Sequence, residues 1–231
     1  MYNLDTNHRE TPSRPVGGFR NSNLAQAWLI LLLALCFGSA LAAVQVQLSD
    51  TIAANKLNET LQQVPALIWG QEQAARYQAS GAVQITPGTA AVQKDGQPSS
   101  YTLYRVSRND TVAGWVIKAD GQGYADKLEL LIGADPDLKH ISGLFVLEQK
   151  ETPGLGNKII SPEWRGQFAG KSTNKPLQVV KGQGQGPGTI DAITGATISS
   201  RSVTAIVNTA IGSLKGRLDA GGNLFSERPN P

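Results

Sequence analysis

One stretch constrains this chain more than any other: LAQAWLILLLALCFGSALAAVQV, Leu24–Val46, which carries no charged side chain. As a helix it would extend about 35 Å, enough to cross a hydrocarbon core of roughly 30 Å. Arg9, Arg14 and Arg20 precede it against Asp5 and Glu10, and the next basic residue is Lys56. That asymmetry predicts residues 1–23 as a cytoplasmic tail, 24–46 as a transmembrane helix, and the chain from about residue 47 onward outside the cytoplasm. Ala40-Leu41-Ala42 offers an A-x-A pattern where a signal peptidase could cut. The long polar segment before it and the length of the apolar run favour an uncleaved anchor. Leu35 stands before Cys36 where a lipoprotein signal wants a small residue, so Cys36 reads as a lipid-facing or packing thiol.

Composition narrows the chemistry. A hydrophobic content of 40% and a charged content of 17% in 231 residues describe a folded domain with an appendage. The net charge of +3 is scattered without a long Lys/Arg run, which argues against nucleic acid as a partner. Cys36 is the single cysteine, and His8 and His140 are the only histidines. No c-type haem attachment, iron–sulfur ligand set or internal disulfide can be assembled from these, and a zinc site would have to rely on carboxylates. A redox role would therefore fall to an organic cofactor.

After the anchor, Ile52, Leu57, Leu61 and Val64 recur at helical spacing, with Pro65 as an expected break. Short β-like runs follow at 82–86, 89–93, 101–107, 112–119, 126–133 and 141–149, separated by turn residues. SPEWRGQFAG (161–170) suggests a short helix and LQVV (177–180) a further strand. From about Ile198, Val203, Ile206, Val207, Ala210, Ile211 and Leu214 mark a helix with one buried face. Strands that a helix must cover give an α+β domain, in antiparallel arrangement. The expected segments are 47–111, 112–214 and a C-terminal tail at 215–231.

Two motif matches fail. GKS at 170–172 lacks the phosphate-loop glycine, since Arg165 stands in its place. GQGQGPG (182–188) does not open a helix and reads as a flexible turn. DAITGATISS (191–200) is different in kind. A helix N-terminus there would favour a phosphate, Gly195 and Ala196 leave the backbone open to close approach, and Thr197, Ser199 and Ser200 add hydroxyls. The competing reading is that Thr197 or Ser199 only caps the helix. Asp191 taken alone is an ordinary turn aspartate. ETPGLG (151–156), taken alone, is a Pro-Gly turn.

Taken together, DAITGATISS and ETPGLG resemble the signature blocks of the FMN-binding domain family with covalently attached flavin, and GQGY (121–124) and PEWRGQF (162–168) fit further blocks. Ala125-Asp126 follow GQGY where the family more often has glycine. The family includes the G subunit of the Rnf electron-transport complex and the C subunit of the sodium-pumping NADH:quinone reductase. The resemblance implies FMN esterified through its phosphate to Thr197 by a flavin transferase, with Asp191 either binding magnesium or the flavin donor during attachment or remaining a turn aspartate. It also implies contacts from Thr194, Gly195, Ala196, Ser199, Ser200, Glu151, Thr152, Gly154 and Leu155, Leu155 offering an apolar surface to the ring. On chain length and the form TGATISSRSV, the resemblance is nearer the Rnf G subunit. It thus implies an inner-membrane electron-transfer subunit of an ion-translocating ferredoxin:NAD oxidoreductase, working with other membrane subunits and lipid. The alternatives are the quinone-reductase C subunit, a non-redox module holding a phosphorylated ligand outside the cytoplasm, and a structural subunit in which Thr197 is a cap.

Overall fold

The computed structural model describes residues 23–94, 97–182 and 186–227. They divide between two compact units, Met1–Asn55 and Lys56–Pro231. Helix α1 (Asn23–Trp69) contributes to both. In the first unit its apolar side chains, among them Trp28, Leu32 and Phe37, are exposed, and nothing in its most apolar window is buried. A helix of that length and composition can cross a membrane, and it anchors the chain. Of the expected tail at 1–23, residues 1–22 lie outside the described residues and Asn23 opens α1.

α1 does not break at Pro65. It runs on to Trp69, where Gly70 turns the chain at φ +78°. A proline removes one helical hydrogen bond, but Val64, Pro65 and Leu67 are buried, and that packing offsets the loss. α2 (Gln71–Ala79) follows.

The strands are β1 (Val83–Lys94), β2 (Gln97–Arg108), β3 (Thr111–Gln122), β4 (Lys127–Ala134), β5 (Ile141–Glu148), β6 (Gln178–Val180), β7 (Thr189–Asp191) and β8 (Ser226–Glu227). Six of them form one antiparallel sheet in the order β5-β4-β3-β2-β1-β8. Asn109 and Asp110, both in the left-handed region, close the β2–β3 hairpin in two residues, as a tight hairpin requires. Runs 82–86 and 89–93 are not two strands but one, since β1 passes straight through Pro87-Gly88. Its outer neighbour β8 pairs only at Gly88 and Thr89, so a residue without an N–H is tolerated beside it. β6 is the strand expected at 177–180, and it pairs in parallel with β7, which no pattern announced.

Side chains alternate across the sheet and build two cores. On one side Leu103, Ile117, Ala119, Leu130 and Ile132 pack with Val203, Ile206, Val207, Ala210, Ile211 and Leu214 of α4 (Thr197–Asp219), the stripe expected from spacing. On the other, Tyr104, Val106, Val116 and Leu131 pack with Val64 and Leu67 of α1. Gly133 and Gly143 face each other across β4 and β5, and the backbone of α1 lies in the trough they leave. A Cβ on Gly133 would stand 2.7 Å from the carbonyl oxygen of Leu67. SPEWRGQFAG gives a single turn, α3 (Pro162–Arg165), continued by a 3-10 turn at Gly166–Phe168.

Lys56 ties α1 to the sheet. Its Nζ is 2.9 Å from Glu129 Oε2 and also pairs with Glu148, while Lys118 approaches Glu129 at 3.4 Å. Glu129 and Glu148 sit directly opposite on neighbouring strands, so the lysine offsets a like-charge repulsion. Burial pushes the Glu129 carboxyl up, but Lys56 and Lys118 together outweigh it and hold the group below its ordinary value of 4.5.

Two outcomes follow from this packing. Gly133→Ala overpacks the trough against backbone and should cost about 1–3 kcal/mol in a urea titration of the full chain in detergent. Because the Glu129 pKa is lowered on folding, its contribution is present above 4.5 and is lost as pH falls through the folded-state value. Acid melting curves of Glu129→Gln should therefore fall less steeply below that pH than those of the parent.

Candidate functional site

The TGAT string folds as a tight elbow from β7 into α4. Asp191, the last residue of β7, is fixed by its neighbours: its N–H donates to Gln167 Oε1 (2.7 Å) and its carbonyl accepts from Trp164 Nε1 (2.8 Å). The PEWRGQF segment thus positions the elbow. Gly195 takes φ +82°, a left-handed conformation that side chains resist, and a Cβ there would lie 3.1 Å from Leu155. Ser200 closes the elbow, since its hydroxyl accepts from the Ile193 N–H (3.1 Å) and donates to the Ala196 carbonyl (3.0 Å).

Helix α4 begins at Thr197 with Ala196 in the capping position, and no side chain caps it. The first-turn N–H groups of Thr197, Ile198 and Ser199 therefore lack helical acceptors, at the end where the helix dipole is positive. Neither Thr197 nor Ser199 caps the helix. Ser199 is buried and donates its hydroxyl to Glu151 Oε2 at 2.6 Å.

This terminus opens on a cleft of about 550 Å³. Residues 195–199 form one wall, Glu151, Thr152, Leu155 and Gly156 another, and Tyr124 and Lys181 complete the lining. The volume lies within the span of about 300–1,000 Å³ usual for small-molecule sites. Leu57 apart, the exposed large hydrophobics described in the second unit are Tyr124, Leu155, Ile160 and Ile198, and all but Ile160 line the cleft. Lys181 is the one cation among the lining residues. An apolar rim beside an uncapped helix N-terminus and a lysine suits a ligand that is planar and apolar at one end and phosphorylated at the other. The residues present fit FMN.

Of the residues expected from sequence, Thr197, Gly195, Ala196, Ser199, Glu151, Thr152 and Leu155 come together around the cleft. Thr194 is exposed outside the lining, Ser200 is buried behind the elbow, and Gly154 (φ +76°) shapes the turn that presents Leu155. Sequence reasoning did not single out Tyr124, Gly156, Lys181 or Ile198 as site residues. Tyr124 and Gly156 sit inside recognised strings. Ile198 lies off the apolar stripe of α4, and a large hydrophobic out of phase was an available signal. Lys181 had none, because the β6–β7 connection alone brings it there. Three residues of GQGQGPG, 183–185, lie outside the described residues.

The sequence profile of the FMN-binding domain matches residues 123–212. The G subunit of the Na(+)-translocating ferredoxin:NAD(+) oxidoreductase complex of Acetobacterium woodii is 33% identical over 177 residues, 75% of this chain and 84% of that protein. The C subunit of the Na(+)-translocating NADH-quinone reductase of Vibrio vulnificus (strain YJ016) is 34% identical over 109 residues, 44% of this chain and 42% of that one. The crystal structure of Shewanella oneidensis NqrC superposes with a TM-score of 0.56 at 18% identity, covering 72% of this chain and 99% of that chain, and shares its fold. These matches and the cleft define a flavin-domain protein with an N-terminal anchor. The chain belongs to the family of the Acetobacterium woodii G subunit and carries the FMN-binding domain over residues 123–212.

Gly195→Ala should lower stability by about 1–2 kcal/mol, the cost of a side chain in the left-handed region. Thermal unfolding of the two chains side by side measures it.

Proposed function

We propose that the chain is a membrane-anchored flavoprotein subunit of an ion-translocating ferredoxin:NAD oxidoreductase complex, passing electrons through FMN esterified to Thr197. The carrying observation is the distribution of hydroxyls at the elbow. Ser199 and Ser200 spend theirs on Glu151 and Ala196, and Thr194 stands outside the cleft. Thr197 lines the cleft at the first position of α4, and its side chain makes no hydrogen bond among the described residues. A phosphoester there would meet the uncapped first turn, with Lys181 as a countercharge and Tyr124, Leu155 and Ile198 as apolar surface. A bound flavin would supply the redox chemistry. The chain's part is to hold it, shield it and set its surroundings.

Identity over matches of similar length supports the ferredoxin:NAD assignment over the quinone-reductase one: 33% over 177 residues to the Acetobacterium woodii protein, against 26% over 179 residues to the C subunit of the Na(+)-translocating NADH-quinone reductase of Vibrio parahaemolyticus. The arginines before the anchor support a cytoplasmic N-terminus, with the folded domain, residues 112–214 above all, on the far side of the membrane. Other membrane subunits, lipid and a flavin transferase are the partners this reading requires.

The test is the intact mass of the denatured full chain, co-expressed with a flavin transferase, followed by peptide mapping. The expected result is the mass of FMN less one water on the peptide holding Thr197. An unmodified chain beside a modified control substrate would overturn the covalent reading. Thr197→Val should abolish the added mass, yet shift stability by no more than about 0.5 kcal/mol, because this threonine caps nothing.

A further inference from the structure

Glu151 is 4% exposed, and its carboxylate joins three segments distant in sequence. Oε1 accepts the backbone N–H groups of Tyr124 (2.8 Å) and Ala125 (3.1 Å), at the tip of the β3–β4 hairpin. Oε2 accepts the Ser199 hydroxyl in the first turn of α4. Two glycines make room for it. A Cβ on Gly123 would lie 2.3 Å from Oε1, and one on Gly156 would lie 2.7 Å from Oε2. A buried carboxylate is tolerated because all three donors converge on it, and such charge-assisted bonds are among the stronger ones.

What this brace holds is not core. Tyr124 is 62% exposed, and the face it offers is a wall of the cleft. The backbone bond described within the tip, Gly123 N–H to the Asp126 carbonyl, is internal and does not reach α4. We propose that Glu151 is the positioning residue of the cleft: through Tyr124 on one side and Ser199 on the other, it sets the spacing between the aromatic wall and the helix turn that carries Thr197. The inference rests on the FMN reading for what fills the cleft, while the brace itself stands without it.

The experiment compares Glu151→Ala, Glu151→Gln and Ser199→Ala in the full chain with two readouts. The first is amide exchange of the flavin-free protein. In Glu151→Ala the Tyr124 and Ala125 amides should exchange about tenfold faster, the effect of one lost hydrogen bond, while the β3 and β4 ladder keeps its protection. Glu151→Gln should restore protection, since its Oε1 can accept both amides and its Nε2 can donate to Ser199. Ser199→Ala cuts only the link to α4, so the tip amides should stay protected, and it serves if Glu151→Ala does not fold.

The second readout is flavin emission of the loaded protein, loading being verified by mass. A tyrosine held against the ring quenches it, so Glu151→Ala and Ser199→Ala should brighten it towards the level of Tyr124→Leu. The double variant with Tyr124→Leu should add nothing. Unchanged exchange in Glu151→Ala, failure of Glu151→Gln to restore it, or additive brightening would overturn the proposal. A wild-type chain that acquires no flavin mass would instead overturn the cofactor reading, and the exchange measurement would then decide the brace alone.

Discussion

The central strands have no face to spare for water. Leu130 and Ile132 of β4 point into one core and Leu131 into the other, and β3 divides Ile117 from Val116 in the same way. A sheet buried on both sides needs a cover on both sides, and chain order leaves two candidates. The end of α1 lies on one face, seated in the Gly133–Gly143 trough, and α4 lies on the other. Once α4 is fixed by its stripe from Val203 to Leu214, its N-terminus has one place to emerge, beside the tip of the β3–β4 hairpin and the ETPGLG turn.

The cleft is what remains where that cover stops. The core stripe of α4 starts at Val203, so its first turn is free to present a hydroxyl and unpaired N–H groups rather than packing atoms. The same region holds the exposed Tyr124, Leu155 and Ile198. A surface that leaves these three dry-side residues in solvent, around one opening, is built for a ligand with an apolar body. The buried carboxylate of Glu151 runs beneath this opening and keeps its walls in register. Polar satisfaction and apolar exposure are thus divided by depth: bonds below, contact surface above.

Much of this was legible in the sequence, for reasons that can be named. The anchor and α4 announce themselves because length and 3.6-residue periodicity are local properties, and the FMN-domain blocks are short strings whose backbone demands are strict. The break expected at Pro65 and the two strands expected at 82–86 and 89–93 failed for one reason. Proline and glycine signal an interruption only when neighbouring packing does not override it, and both positions lie in well-packed or edge settings. The three-residue strand β7 is too short to show a period at all. Within the site, spacing could not divide the hydroxyls of Thr197 and Ser199, because the Ser199 hydroxyl is taken by Glu151, forty-eight positions away.

The sequence by itself determined the apolar anchor, the face α4 buries, and the hydroxyl-rich, small-residue string that opens α4. These depend on interactions between residues close along the chain. Tertiary structure alone decided which hydroxyl faces the cleft, that Lys181 and Tyr124 join its lining, and that Glu151 turns inward as a brace. Each of those requires segments tens of residues apart to meet, and such meetings follow from how a two-faced sheet is covered, not from any local pattern.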